Sequence, residues 1–273
     1  EPNKWHEMIE SYLQQKNNIR ILKNTKVTKL ESTSCENLID SVHIKNIVNN
    51  QYSIIKANKV ILCTQSNNIY PIIKDCSSYV QNNWMPINKM KEWSNNTFYS
   101  GFGFQLHFDK YIKFKNNWCW SCGKDWTVII LPVSNWLTQY SKDQQIKTVW
   151  SCCIVDMETK SQRLNKTPNE CTIHEIIDEC MYQIKSSYNI PGPNKITISK
   201  GIARKDNKWI SKNTGFTRNI YDKLMMKGKI DNLYALGCFT QTNQSHISYI
   251  GNAIDATALY LKNYENLNKK VFF

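Results

Sequence analysis

Two short apolar runs constrain this chain more than anything else in it. Lys59-Val-Ile-Leu-Cys-Thr64 is continuous rather than alternating, as expected of a strand buried on both faces. Leu233–Leu236 is a second such run, and it stops at Gly237. After a polar loop, Ser248 can cap a helix. There Ile250, Ala253, Ile254, Thr257, Ala258 and Leu261 recur at helical spacing, and the small residues among them let the helix approach a sheet closely. The stretch from Asp231 to Leu261 therefore reads as strand, glycine turn and capped helix, the local signature of an α/β fold.

The rest of the chain fills in around these runs. Trp5, Met8, Ile9, Tyr12 and Leu13 recur as an amphipathic helix. Extended pieces are expected at Ile19–Leu22 and Thr25–Leu30. A hairpin is expected to turn at Asn49-Asn50, between Val42/Ile44 and Tyr52–Ile55. Between about Ser78 and Lys200 the character changes. Strands are predicted at Phe102–Phe108, Thr127–Pro132, Lys147–Val155 and Lys195–Ser199, interrupted by one helix. Thr172-Ile-His-Glu175 opens that helix as a capping box, and Ile173, Ile176, Ile177, Cys180, Met181 and Ile184 form its apolar stripe. The expected organisation is a nucleotide-binding domain over 1–77, a substrate domain over 78–205 with a mixed sheet and packed helix, and a return to the first domain over 206–273.

Composition narrows the function classes. Aromatic residues make up 12% and hydrophobic residues 41% of 273 residues, which favours a packed protein over a disordered one. No apolar run approaches the roughly 20 residues that span a bilayer. The net charge of +13 raises a nucleic-acid reading. Against it, the cations are mostly lysines scattered among Asn and Ile, with no Arg cluster and no basic face with interleaved aromatics. Cys63, Cys152 and Cys180 sit inside apolar patterns, so cysteine here reads as a small hydrophobe of a reduced, intracellular and cytoplasmic protein. Cys119 and Cys122 form a lone CxxC without a second pair, so no metal is expected.

The ending Asn232-Leu-Tyr-Ala-Leu-Gly-Cys-Phe-Thr240, followed by Ser248-Tyr-Ile-Gly-Asn-Ala253, resembles the closing motif of flavin-containing amine oxidases. Tyr12-Leu13, Ile19-Arg-Ile-Leu22 and Asn24-Thr-Lys-Val27 are similar to the family's segment whose Val meets the FAD adenine through its backbone. Ala57–Thr64 resembles the strand that returns to the cofactor before the chain leaves for the substrate domain. The resemblance implies a partial FAD-binding, Rossmann-like α/β domain interrupted by an α+β substrate domain. It further implies an FAD-dependent oxidoreductase that oxidises a C–N or C–C bond by hydride transfer to flavin. Carried over residue by residue, Val27, Thr64, Gly237, Cys238, Ser248, Tyr249 and Ile250 would line the cofactor, with Tyr249 and Trp209 toward a small-molecule substrate. Ser248–Ile250 would open a helix whose N-terminal partial charge suits a reduced flavin.

Three departures from the family accompany the resemblance. The glycine-rich GxGxxG is absent, as expected of a chain that begins inside a longer protein, because no glycine precedes Gly101. Cys238 and Phe239 stand where an acid would hold the ribityl hydroxyls. The Lys that positions water near the flavin has no counterpart in Gly101-Phe-Gly-Phe-Gln-Leu-His-Phe108. His107 and His246 are the histidines considered for a place near the cofactor. Trp118, Trp120 and Trp126 read either as a substrate wall or as a tryptophan-rich core corner. Two alternatives stay open: a catalytically silent member of the fold with a structural or partner-binding role, and a basic nucleic-acid-binding protein.

Overall fold

The computed structural model describes residues 2–33, 35, 37–99, 101–113, 120–135, 145–211, 216–217, 223–242 and 249–265. Helix α1 (Pro2–Gln14) comes first, followed by strands β1 (Thr25–Ser32), β2 (Ile39–Asn46), β3 (Tyr52–Lys56) and β4 (Val60–Leu62). Helices α2 (Ile69–Ile73), α3 (Ser78–Gln81) and α4 (Ile87–Thr97) lead to β5 (Phe98–Tyr99). Then come β6 (Phe102–Phe108), β7 (Trp120–Cys122), β8 (Val128–Leu131), β9 (Thr148–Ile154) and helix α5 (Ile173–Ser187). Strands β10 (Lys195–Ile198), β11 (Ile202–Lys205), β12 (Lys208–Ser211), β13 (Phe216–Thr217) and β14 (Leu233–Ala235) precede helix α6 (Tyr249–Tyr264).

The architecture is α/β, in two compact units. One comprises Glu1–Lys16 and Ser100–Gly215, the other Asn17–Tyr99 and Phe216–Phe273. In the second unit β5 and β13 pair antiparallel where the chain leaves and re-enters it.

The first unit is built on a five-stranded sheet of order β10-β6-β9-β8-β7. Each of its four pairings is antiparallel, where a mixed sheet was expected. The reason is topological. Helix α5 connects β9 to β10, but β10 pairs with β6, so no parallel crossover forms. Phe102, Phe104, Leu106 and Phe108 point to the buried face of β6, and His107 lies on the other, with Nε2 3.2 Å from Thr197 Oγ1. Trp126 is fully buried, a core corner as its surroundings predicted, whereas Trp118 lies outside the described residues. Helix α5 packs against β7 and β8 through Ile176, Cys180 and Ile184. Ile173 is left 40% exposed, while the Glu179 carboxylate is buried and met by Arg163 Nε and Gln183 Nε2.

The capping box at α5 forms as its sequence predicts. Glu175 N–H donates to Thr172 Oγ1 at 3.3 Å, and Thr172 N–H donates to Glu175 Oε2 at 2.8 Å. Lys166 also donates to Glu175, and with the Thr172 donors it pulls that carboxyl down to about 2 from an ordinary 4.5. A folded value below the unfolded one means that the ion pair stabilises the fold above about pH 4.5. That contribution is lost as pH falls through about 2. An NMR titration is expected to show Glu175 protonating last among the exposed carboxylates, and Lys166→Met to move it back up. Titration of Glu175 near 4.5 in the unaltered protein would contradict this.

Two sequence expectations are corrected in the outer elements. Ile19–Leu22 forms no strand, and Ile19, Ile21 and Leu22 are each more than a third exposed; their apolar spacing has no ladder to join. Helix α1 forms, but the stripe that defines it is outward, with Trp5 and Met8 each 71% exposed. The hairpin between β2 and β3 turns where predicted, and Asn50 takes the left-handed conformation (φ 59°) that Asn tolerates in turns.

The core of the second unit gathers Leu30, Ile39, Val60, Leu62, Ile69, Ile73, Met90, Leu233 and Phe239 among others. Strands β4 and β14 lie side by side and parallel, with Val60, Ile61 and Leu62 opposite Leu233, Tyr234 and Ala235. Strand β14 is buried on both faces, as a continuous apolar run predicts. Strand β4 is buried on one only, because α6 covers Tyr234 while Ile61 remains 39% exposed.

Candidate functional site

Parallel strands present their carboxyl ends on one side, and in open α/β sheets ligands bind just outside those ends. Here the carboxyl ends of β4 and β14 are neighbours. The last link between them is the hydrogen bond from Leu236 N–H to Leu62 carbonyl O, 3.0 Å. Beyond it one chain continues through Cys63 and Thr64 into a 3-10 turn at Ser66–Asn68, and the other turns at Gly237–Thr240 toward α6.

The turn after β14 is held from several sides. Gly237 carbonyl O accepts from Thr240 N–H at 3.1 Å, and Thr240 Oγ1 donates back to Ala235 carbonyl O at 3.1 Å. The Phe239 ring folds over Gly237, where a Cβ would lie 2.7 Å from the ring. That contact, rather than a bound group, is what excludes a side chain at 237. Phe239 is buried and meets Trp93 edge-on at 5.8 Å, and Cys238 packs against the same core. Of the two residues standing where the resemblance would place an acid, Phe239 therefore faces the protein interior and Cys238 is half-buried.

Asn252 anchors this turn, although nothing in its sequence context marks it as a site residue. Fully buried, it donates through Nδ2 to the carbonyl oxygens of Cys238 and Thr240 at 2.9 Å and of Gly237 at 3.4 Å. Its Oδ1 accepts from Lys223 Nζ at 2.7 Å and Thr242 Oγ1 at 3.0 Å. The buried residues of α6 are Asn252, Ala256 and Tyr260, with Leu261 of the predicted stripe packed beside them, while Ile254, Thr257 and Ala258 of that stripe are exposed. Ile254 is 61% exposed. A polar residue at i, i+4, i+8 with Ala256 and Tyr260 was the available signal, but an apolar-only pattern skips it. At the far end of the helix, Tyr260 hydroxyl and Lys59 ammonium both donate to Glu265, tying α6 to the start of β4.

The β4 side carries two further groups that sequence reasoning did not single out. Ser66 Oγ and Asn67 Oδ1 are buried with no hydrogen-bond partner among the described residues. Ser66 is held in place through its carbonyl, which accepts from Ser94 Oγ at 2.8 Å. Cys63 is an exposed residue at this edge whose thiol is partly withdrawn from water, which pushes its pKa up.

Among the predicted site residues, Thr64, Gly237 and Cys238 come to these adjoining strand ends and are each half-buried. Val27 belongs to β1, paired with Ile44, its side chain against the core. Tyr249 and Ile250 form the first turn of α6, described in their backbone alone, and Ser248 and His246 lie outside the described residues. Trp209 belongs to the first unit. It stacks edge-on against Phe102 at 5.6 Å and donates its indole N–H to Cys171 carbonyl O at 3.1 Å. No cluster of three or more potential metal ligands occurs among the described residues, and none of their helices is long and apolar enough to cross a membrane.

No protein-family model matches the chain, and no curated protein does either. Among solved structures, the chain is similar to an oxidoreductase from Methanosarcina mazei, at 11% sequence identity and a TM-score of 0.46, over 86% of this chain and 48% of that one. The chain thus spans about half the length of the structure it matches.

Proposed function

We propose that this chain forms part of an FAD-dependent oxidoreductase of the flavin amine oxidase type, acting on a C–N or C–C bond. The observation that carries the reading is the parallel β4–β14 pair, whose carboxyl ends adjoin and whose turn at Gly237–Thr240 is held by Asn252 of a 16-residue helix. Thr64, Gly237, Cys238 and the start of α6 at Ser248–Ile250 would face the cofactor, and Val27 would offer its backbone to the adenine.

The residues present fit such a group in part. Ser66 Oγ and Asn67 Oδ1 are orphaned polar atoms beside the strand ends, and an orphaned buried group costs stability until something pairs with it. Backbone and hydroxyl groups would have to serve the ribityl chain, since Phe239 and Cys238 bring no acid there. The flavin, when bound, supplies the hydride-accepting chemistry. The part of this chain is positional: Asn252 and Lys223 hold the turn, and the buried face of α6 fixes the direction in which the helix start points.

Full-length protein carrying this chain is expected to purify with a yellow chromophore that is released as FAD on denaturation. Colourless protein that takes up no flavin on reconstitution would sink the reading. It would leave the silent-fold alternative, which the burial of Phe239 at the expected acid position favours.

A further inference from the structure

The second unit holds a cleft of about 510 Å³ that shares no lining residue with the strand ends. Its walls include Tyr79 and Asn82 of the α3 region, Trp84, Met85 and Pro86 of the turn that follows, and Lys229 from the loop before β14. That volume lies within the range of small-molecule sites, which combine apolar and aromatic walls with few polar groups.

The two sides of the cleft are locked together through Asn83. Its carbonyl O accepts from Lys229 N–H at 3.0 Å, and its Oδ1 accepts from Ile230 N–H at 2.8 Å. Gly228 presses so close that a Cβ there would lie 2.4 Å from Asn83 carbonyl O. The cleft is therefore preformed, which reduces the entropic cost of binding. The Asn82 amide is spent on the wall itself, donating to Ser78 carbonyl O and accepting from Ile87 N–H. The Lys229 ammonium and the Ser78 hydroxyl remain. No acidic residue lines the cleft, and Lys229 makes no ion pair among the described residues. The Trp84 indole N–H, on the same wall, is buried without a partner among them.

Tyr79, Trp84, Met85 and Pro86 on one side, with the Ser78 hydroxyl and the Lys229 cation beside them, suit a flat apolar ring carrying a single negative charge. We propose that this cleft binds a small aromatic carboxylate, its ring on the Tyr79, Trp84 and Pro86 side and its carboxylate on Lys229. The proposal is independent of the flavin reading, since flavin content and occupancy of this cleft are measured separately.

The test is a titration of 1-naphthoate into the full chain with nitrogen-15-labelled tryptophan, following the indole cross-peak of Trp84. Trp84→Phe identifies that peak, and sequential assignment through Met85 does so if the variant fails to fold. The expected result is a saturable shift at Trp84. Lys229→Gln should weaken it by about tenfold, the loss typical of one charged hydrogen bond. The neutral 1-naphthylmethanol should bind more weakly and be indifferent to Lys229→Gln. Lys229 is exposed, so its variant tests the charge without disturbing the core. A Trp84 peak that does not move at millimolar ligand overturns the proposal, as does a dissociation constant unchanged in Lys229→Gln.

Discussion

Replacing Asn252 with leucine is expected to destabilise the second unit by roughly 3 kcal/mol, because a leucine, branched alike but bulkier, offers neither donor nor acceptor. Three carbonyl oxygens, of Gly237, Cys238 and Thr240, would lose their shared donor, and Lys223 and Thr242 would lose their acceptor. The two side chains can turn to water. The carbonyls cannot do so freely, since Thr240 is fully buried and the turn is packed under Phe239. Asn252→Asp separates the contributions. It keeps the acceptor for Lys223 but brings no amide donor for the three carbonyls, so it should restore little. Chemical denaturation of the three proteins measures this. An aspartate variant as stable as the parent would show that the carbonyl contacts carry almost none of the effect. Under the flavin reading, the leucine variant also loses cofactor at temperatures where its far-ultraviolet dichroism is still native.

The second large effect falls at the opposite end of β14. Asn232 is buried just before the strand, and its Nδ2 donates to Ile39 carbonyl O at 2.8 Å and Asn58 carbonyl O at 3.1 Å. Its Oδ1 accepts from Ile39 N–H at 2.7 Å. One side chain thereby joins β2, the approach to β4 and the start of β14. Asn232→Ala is expected to cost about 2–4 kcal/mol, from a small cavity and from buried backbone groups left without partners. The measurement is the denaturant midpoint at constant m-value. A loss below about 0.5 kcal/mol would mean that water replaces the amide at this junction, and that β4 and β14 register without it.

These two asparagines also mark the boundary between what was legible and what was not. Local patterns carried the elements: the capping box at Thr172–Glu175, the alternation along β6, the hairpin at Asn49-Asn50 and the apolar runs at β4 and β14 all formed where their spacing placed them. The outward stripe of α1 and the unformed strand at Ile19–Leu22 show the limit of the same signals. Periodicity states that a face is apolar, not that anything covers it.

The candidate site was legible only as a place on the chain. Gly237 and Thr64 follow from the ends of apolar runs and the start of α6 from the helical spacing behind it, while the cap expected at Ser248 lies outside the described residues. That the two strand ends adjoin is a tertiary fact. So is the role of Phe239, which reads in sequence as a missing acid and in the structure as a core residue against Trp93.

Sequence alone, then, determined the kinds of element, most of their bounds and the glycine turn into α6, because those depend on residues within a few positions of one another. Tertiary structure decided which faces are buried, which strand ends meet and which polar side chains hold them. The partners responsible are remote: Asn232 and Ile39 are 193 positions apart, and Asn83 and Ile230 are 147 apart. A buried hydrogen bond is strong because its groups are withdrawn from water, and withdrawal depends on the whole surrounding fold rather than on neighbours in sequence.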